Sequence, residues 1–316
     1  MRILIVTPAP PRSRKGNRIT ALRWASLLRD LGHRVALAES FVQQPCDLMI
    51  ALHARRSAQS VRRFHEARSE APLLLTLTGT DLYRDIKTSR VAQQSLELAD
   101  RLVLLQPAGV IALPKPLQAK ARVIQQSATG LSKPPTPLSS VFEIAVVGHL
   151  RPVKDPFRTA IAARGLPESS RIRIVHIGAA LSKSMAQRAR DEMDRNSRYQ
   201  WIGELSPSQT KRRLARARLL VLSSRLEGGA NVVSEAVAAG TPIIASRISG
   251  SIGLLGDDYP GYFEVGDASE LRVMLQRAEQ DQQFYAKLER CCRRLLPLVE
   301  PRHERELWNR LIDELD

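Results

Sequence analysis

Aromatic residues are scarce in this sequence and make up only 4% of its 316 residues. Proteins that bind single-stranded nucleic acid rely on aromatic side chains, on which successive bases stack. No basic run of the sequence is interleaved with aromatics, so we expect no stacking platform and no nucleic-acid partner. The hydrophobic share of 43% and the charged share of 25% are those of a globular protein.

Cysteine is also rare, with three residues in the whole sequence. Cys46, Cys291 and Cys292 offer neither the spacing of metal ligands nor an even-numbered disulfide framework. The acidic pairs at positions 191/194 and 257/258 lack the strand-end context of carboxylates that bridge a metal ion. We therefore expect neither a metal ion nor a bound cofactor.

Long apolar runs are missing as well. No stretch approaches the ~20 apolar residues that a helix needs to span a bilayer. The apolar run near the start is too short for a secretory signal, and no small-residue cleavage site follows it. We expect a cytoplasmic protein without a membrane span.

Acidic residues are outnumbered by basic ones, 32 against 48, which gives a formal net charge of +16. Such an excess favours anionic partners through long-range steering and local contact. Nucleic acid, a membrane surface and phosphorylated small molecules are three such partners. The alternative is that the arginines simply cover solvated helix faces.

Short apolar runs alternate with longer amphipathic stretches, which is typical of parallel strands joined by helices. We expect a first helix over Ile19–Leu31, ended by Gly32. The predicted strands are Ile3–Thr7, Val35–Ala38, Asp47–Leu52, Leu73–Leu77, Leu102–Leu105, Val123–Ile124, Phe142–Val147, Ile172–Ile177, Tyr199–Ile202, Leu219–Leu222 and Thr241–Ala245.

A segment rich in proline and serine, residues 132–140, interrupts this pattern and reads as a linker. We predict an N-terminal Rossmann-like domain over residues 1–133, a linker over 134–140 and a C-terminal Rossmann-like domain over 141–298. Residues 299–316 form a helix that packs on either domain. Two similar α/β halves imply a central cleft, where ligands meet the carboxyl ends of the strands.

The most informative stretch runs from residue 223 to residue 242. Gly228 and Gly229 follow a predicted strand and let the backbone approach a ligand closely, while the N–H groups at the next helix start can receive phosphate oxygens. Glu235 lies in the first turns of that helix, where a carboxylate can accept both hydrogens of a ribose diol. Glu227 lies in the loop that leads to the glycines.

A second stretch, from Gly148 to residue 156, also follows a predicted strand. It holds His149, Arg151 and Lys154, whose positive charge can stabilise a departing phosphate. A histidine at a strand end is often structural. The positive charge that acts on the phosphate beside Lys154 can therefore come from either His149 or Arg151.

These two stretches resemble the GT-B glycosyltransferases of family 4, which carry two glutamates eight positions apart and a following Ala-Gly-Thr-Pro. In that family the first glutamate contacts hydroxyls of the donor sugar and the second binds the nucleotide ribose; a lysine matched by Lys154 holds the diphosphate. His149 stands where the family has arginine. The resemblance implies a metal-independent transferase with these catalytic residues: Lys154, Arg151, Glu227 and His149. It implies these donor-binding residues: Gly16, Gly148, Arg225, Gly228, Gly229, Ala230, Asn231, Val232 and Glu235.

Five segments, at residues 53–57, 77–85, 147–151, 176–181 and 227–230, are similar to one subgroup, the selenosugar synthase of selenoneine biosynthesis. That resemblance implies selenophosphate, or another small anion, as acceptor and a UDP-hexose or UDP-N-acetylhexosamine as co-substrate. The product would be a 1-selenosugar.

The acceptor is expected to meet cations, hydroxyls and backbone N–H groups at strand ends of the first half. Arg12, Arg14 and Lys15 stand in the loop before the first helix. The candidate acceptor-binding residues are Asn17, Arg18, His53, Arg55, Thr78, Gly79, Thr80 and Asp81. Asp81 is a candidate general base or acceptor-orienting group for a hydroxyl acceptor, whereas deprotonation matters less for a selenium nucleophile that is already ionised near neutral pH.

Two other functions remain open. One is a family 4 transferase that moves a hexose to a hydroxyl acceptor, such as a glycan or a lipid-linked sugar. The other is a basic nucleic-acid-binding protein on a transferase fold, which would bind in a strongly salt-sensitive way. Retaining and inverting enzymes share this architecture, and the motifs specify neither the preferred UDP-sugar nor the oligomeric state.

Overall fold

A computed structural model describes residues 1–13 and 16–315 of the chain. They form two compact units. The first comprises residues 1–127, the short segment Glu227–Asn231 and the C-terminal segment that begins at Pro301. The second comprises Ala128–Leu226 and Val232–Glu300.

The first unit is built on a parallel sheet whose strand order is β2-β1-β3-β4-β5-β6. Its central strands are buried on both faces, which explains why they read as continuous apolar runs rather than as alternating ones. The strands are β1 (Arg2–Val6), β2 (Arg34–Ala38), β3 (Leu48–Leu52), β4 (Leu73–Leu77), β5 (Arg101–Leu104) and β6 (Ala121–Val123).

Helices cover both faces of this sheet. The α-helices are α1 (Gly16–Asp30), α2 (Ala58–Ala67), α3 (Ile86–Thr88), α4 (Arg90–Leu98) and α12 (Pro301–Asp313), with a π-helical turn Asp81–Asp85 and 3-10 turns Pro107–Ala112 and Lys115–Lys120. One face is filled by α2 and α4 around Phe41 and Phe64. The other face is filled by α1 and α12. The rings of Trp24 on α1 and Trp308 on α12 pack edge to face, with their centroids 4.8 Å apart.

The second unit repeats the plan with a parallel sheet of order β12-β11-β10-β7-β8-β9. Its strands are β7 (Phe142–Val147), β8 (Ile172–Ile177), β9 (Tyr199–Trp201), β10 (Leu219–Leu222), β11 (Ile243–Ser246) and β12 (Tyr262–Phe263). Its α-helices are α5 (Arg158–Ala163), α6 (Lys183–Arg195), α7 (Pro207–Arg216), α8 (from Asn231 to Ala239), α9 (Ser249–Leu255), α10 (Ala268–Gln280) and α11 (Gln282–Arg294), with 3-10 turns Pro152–Lys154 and Leu296–Val299.

The two parallel α/β sheets confirm the predicted fold class. Strands Leu73–Leu77, Phe142–Val147, Ile172–Ile177 and Leu219–Leu222 have the predicted bounds. The first helix was expected from Ile19 but begins at Gly16, because a polar helix start carries no apolar signal. Strand β12 was not predicted, since two paired residues are too short to show a period. The C-terminal helix lies in the first unit, against α1.

Candidate active site

In the second unit the strand order reverses between β7 and β10, which are parallel neighbours. Ligands of open parallel sheets bind outside the carboxyl ends of strands at such a switch point. The loop after β7 carries Gly148, His149, Arg151 and Lys154, and the loop after β10 carries Arg225. The topology therefore brings these predicted residues of the two stretches to one edge of the sheet.

The turn that carries Lys154 is fixed against the loop after β10 by hydrogen bonds. The Ser223 hydroxyl donates to the carbonyls of Lys154 at 3.2 Å and Asp155 at 2.9 Å. The backbone N–H of Arg225 donates to the Val153 carbonyl at 2.9 Å. These bonds set where the Lys154 side chain leaves the backbone.

Asp155 closes that turn in a left-handed conformation, with φ 43°. Its carboxylate pairs with Arg158 at 3.1 Å and with Arg225 at 3.3 Å. Asp155 thus holds Arg225 beside the Lys154 turn. Its role was not predicted, although its place beside Lys154 in a strand-end turn is the signal that could have found it.

The loop at Gly148 lies against the loop after β8. A Cβ atom on Gly178 would stand 2.1 Å from the Gly148 carbonyl oxygen, and Gly178 has φ 154°, so this close approach requires glycine. The Ala179 N–H donates to His149 Nδ1 at 3.1 Å. This bond orients the His149 ring and, in the neutral ring, places the proton on Nε2.

His176 on β8 holds the same loop through a hydrogen bond to its backbone. Its Nε2 lies 3.1 Å from the Gly148 carbonyl oxygen and its Nδ1 lies 3.0 Å from the Tyr199 hydroxyl. Because a carbonyl only accepts, Nε2 carries the proton and Tyr199 donates to Nδ1. Complete burial lowers the pKa of His176 to about 4, so the ring is neutral at pH 7. Its supporting role was not predicted.

The segment Glu227–Asn231 belongs to the first unit. A Cβ atom on Gly228 would stand 2.5 Å from the Gly79 nitrogen, and one on Gly229 would stand 2.4 Å from the Leu105 Cβ. Both glycines are therefore required by close backbone approach. Ala230 is buried, and Asn231 begins α8, which places Glu235 in its second turn.

The loop after β4 is organised around the carboxylate of Asp81, which is fully buried. Asp81 Oδ1 accepts the backbone N–H groups of Thr78 at 2.9 Å and Gly79 at 2.8 Å, and Oδ2 accepts that of Ala54 at 3.0 Å. Three backbone donors thus occupy both oxygens. The arrangement fixes the loops after β3 and β4 relative to each other.

His53, after β3, has a left-handed backbone with φ 78°, which is uncommon outside glycine. Its Nε2 lies 3.3 Å from the Thr80 hydroxyl. Burial lowers the pKa of His53, and the nearby Asp81 charge opposes that shift. Asp85, which was not predicted, lies 3.8 Å from Arg55 and 4.0 Å from His53 and is nearly buried.

Gly16, Asn17 and Arg18 form the first turn of α1 rather than a loop. A Cβ atom on Gly16 would stand 3.8 Å from Asn231 Nδ2, so the structure brings these two predicted donor residues together. The Arg18 Nε is buried and has no hydrogen-bond partner among the residues that the structure describes. Arg12 is exposed, and Arg14 and Lys15 lie outside the described residues.

Within residues 1–13 and 16–315, no group of three or more histidine, cysteine, aspartate or glutamate side chains is placed to hold a metal ion. None of the helices described is long and apolar enough to cross a membrane.

A family model described as Glycosyl transferases group 1 matches residues 134–293, just over half of the 316 residues. The chain belongs to this family. The matched range contains both glutamates of the motif and Lys154. Among curated proteins, a sequence search finds no match.

Solved glycosyltransferase structures share the fold. HepE of Anabaena in complex with UDP superimposes with a TM-score of 0.78 at 15% identity, over 99% of this chain and 100% of HepE. Sucrose-phosphate synthase of Thermosynechococcus elongatus superimposes with a TM-score of 0.79 at 16% identity, over 99% of this chain and 98% of that enzyme. A glycosyltransferase of Rickettsia africae superimposes with a TM-score of 0.74 at 14% identity, over 99% of this chain and 98% of that protein. The fold is therefore GT-B, as predicted.

Proposed function

We propose that this group 1 glycosyltransferase transfers a hexose or N-acetylhexosamine from a UDP-sugar donor without a metal ion. The observation that carries the proposal is the glycine-rich segment before α8, which ends at a helix N-terminus and is followed by Glu235. A helix start of this kind receives phosphate oxygens. The fold neighbour HepE binds UDP and UDP-glucose, which supports UDP as the nucleotide.

In this proposal Glu235 accepts the ribose hydroxyls and Glu227 contacts the donor sugar. Lys154 and Arg151 neutralise the charge that develops on the departing UDP, and the Nε2–H of His149 donates to the same group. In the second unit Gly148, Arg225 and Val232 are further donor-binding residues, and in the first unit Gly16 and the backbone of residues 228–231 are. These roles follow the resemblance to family 4.

For the acceptor we propose selenophosphate: its selenium would bond to the anomeric carbon as the bond to UDP breaks, and water would then cleave the phosphorus–selenium bond to release phosphate and the 1-selenosugar. Two observations support a small anion that needs no general base. Asp81 is buried and accepts three backbone N–H groups, so its carboxylate fixes the conformation of the loop. Arg18, in the first turn of α1, adds a positive charge whose guanidinium can bind a small anion. Asn17, His53, Arg55, Thr78, Gly79 and Thr80 would complete the acceptor site.

A hydroxyl acceptor is the second candidate. The fold similarity to sucrose-phosphate synthase favours it, because the name of that enzyme indicates a sugar phosphate product. Such an acceptor must lose a proton during transfer, which requires a general base. A turnover that depends on one ionised carboxylate would therefore support it over selenophosphate.

The deciding experiment is a coupled assay with purified protein. It would offer UDP-glucose or UDP-N-acetylglucosamine with fresh selenophosphate and follow UDP release and selenium-containing product by mass spectrometry. We expect a selenosugar that is lost in Glu235→Ala and Lys154→Ala variants. Binding of UDP-sugar without a selenosugar would reject the selenium acceptor and keep the donor. Absence of UDP-sugar binding would reject the proposal as a whole.

A further inference from the structure

A buried carboxylate joins the C-terminal helix to α1 in the first unit. Glu304 on α12 has no solvent exposure. Its Oε1 accepts the indole N–H of Trp24 at 2.7 Å, and its Oε2 accepts the backbone N–H of Ser127 at 2.8 Å and the Ser127 hydroxyl at 2.5 Å. Arg23 completes the set with Nε at 3.1 Å from Oε2. Both oxygens are thus fully used.

Arg23 extends this network to the glycine-rich segment. While its Nε faces Glu304, its Nη1 donates to Asn231 Oδ1 at 2.9 Å. Arg23 has only 19% of its side chain exposed, so the two contacts fix the guanidinium plane from two sides. Asn231 is the first residue of α8.

Gln126 provides a second tie. With its amide oxygen directed at the donors, it accepts from Thr20 Oγ1 at 2.7 Å and Arg23 Nη2 at 3.0 Å. Its nitrogen then donates to Asn231 Oδ1 at 3.0 Å and to the Gly229 carbonyl at 3.1 Å. Arg23 therefore holds the Gly229–Asn231 turn at both ends, directly at Asn231 and through Gln126 at Gly229.

We propose that Glu304 is a positioning residue for donor binding, acting through Arg23 on the Gly229–Asn231 turn. Because this inference deepens the proposed function, it rests on residues 228–232 receiving the donor. A buried ion pair contributes little net stability compared with apolar packing, yet it imposes one geometry on its partners. Here that geometry is passed to the backbone at the start of α8.

Hydrogen exchange tests the positioning without reference to activity. In Glu304→Gln, the amide nitrogen faces donors and the charge beside Arg23 is lost. We expect peptides covering residues 227–239 to exchange about tenfold faster, since exchange reports local opening. The matched control is Glu306→Gln, the same change on the same helix at a half-exposed pair with Arg302, and we expect it to leave exchange unchanged.

A second variant covers the case in which Glu304→Gln does not fold. Arg23→Lys keeps a positive charge beside Glu304 but lacks the planar fork that reaches Asn231. We expect the same faster exchange at residues 227–239 with a melting temperature near that of the wild type. Exchange equal to the Glu306→Gln control in both variants would overturn the inference.

Kinetics then connect the turn to the donor. We expect both variants to lower kcat/KM for the UDP-sugar about 10- to 100-fold, as small misplacements of a binding group do. The double variant should lose no more than the single ones, because both act through one contact. Multiplicative losses would overturn the inference, whereas a wild-type protein that binds no UDP-sugar would instead reject the proposed function.

Discussion

The two units place their candidate residues at the same kind of sheet edge but hold them in different ways. In the first unit a buried charge organises the loops, since Asp81 collects three backbone N–H groups. In the second unit the loop at Gly148 is held by neutral contacts, through Gly178 against Gly148 and through the uncharged ring of His176. Equal topology therefore does not imply equal chemistry, and the first site should be far more sensitive to loss of one charge.

Replacement of Asp81 by alanine should have the largest effect. Three buried N–H groups would lose their acceptor, and we expect the free energy of unfolding of the first unit to fall by about 3 kcal/mol. Thermal unfolding of the variant measures this. Glu66→Gln, which removes one member of an exposed ion pair on α2, is the control and should change stability by less than about 1 kcal/mol.

Asp81→Asn separates structure from chemistry at this position. If Asp81 serves only the loop, the variant should lose stability while the pH dependence of turnover keeps its shape. Loss of turnover with both substrate affinities and stability unchanged would contradict this and favour a general base.

Acidification should weaken the second unit through His176. The pKa of His176 is lowered to about 4 in the folded protein, from an ordinary 6.5, so the unfolded chain takes up the proton first as pH falls. The stability that the neutral ring contributes is full above pH 6.5 and is lost toward pH 4, by about 3 kcal/mol in total. Denaturant unfolding at pH 7.5 and pH 5 measures this.

The variant His176→Gln should flatten this pH dependence. His65, which is exposed on α2, gives the control His65→Gln, which should keep the wild-type slope. An unchanged slope in His176→Gln would show that other groups carry the acid sensitivity. His53, whose pKa is also lowered by burial, acts with the same sign in the first unit.

Gly178→Ala should affect function more than stability. Its Cβ would meet the Gly148 carbonyl oxygen, so the loop before His149 must shift. We expect kcat/KM for the donor to fall about 10- to 100-fold. Gly256→Ala is the control, since Gly256 also has a positive φ, at 91°, but a Cβ there meets no atom within 4 Å. Equal donor kinetics in the two variants would refute this account of the loop.

Arg225→Met should change stability least. Its side chain is 53% exposed and its ion pair with Asp155 is therefore screened by solvent. We expect less than about 1 kcal/mol of lost stability and a measurable loss of UDP affinity by calorimetry. A stability loss as large as that of Asp81→Ala would erase the proposed contrast between the two units.

The sequence predicted the parallel α/β architecture because buried strands such as Leu73–Leu77 read as apolar runs of strand length. It predicted that Gly228 and Gly229 let the backbone approach a ligand, which stays a prediction; in the structure the two glycines lie against Gly79 and Leu105. The partners at that approach, Gly79 and Leu105, were not predictable, because contacts between residues far apart in the chain leave no local pattern.

Buried polar groups were the part that sequence reasoning missed. Glu304 lies in a stretch that reads as a charged amphipathic helix, and only its position in the fold separates it from half-exposed Glu306. His176 shows the same problem within a strand. The chemistry of such residues depends on which neighbours the fold supplies, and the local sequence does not record them.

The first unit is built from segments that are far apart in the chain, and this affects how it folds during synthesis on the ribosome. Trp308, Leu311 and Ile312 fill the core beside Trp24, yet they are synthesised after the whole of the second unit. Until they emerge, the face of the first sheet that α1 and α12 share is covered by α1 alone, and part of its apolar surface stays in water. Vectorial synthesis therefore allows the later unit to finish folding first, and the earlier one to close only when the last helix arrives.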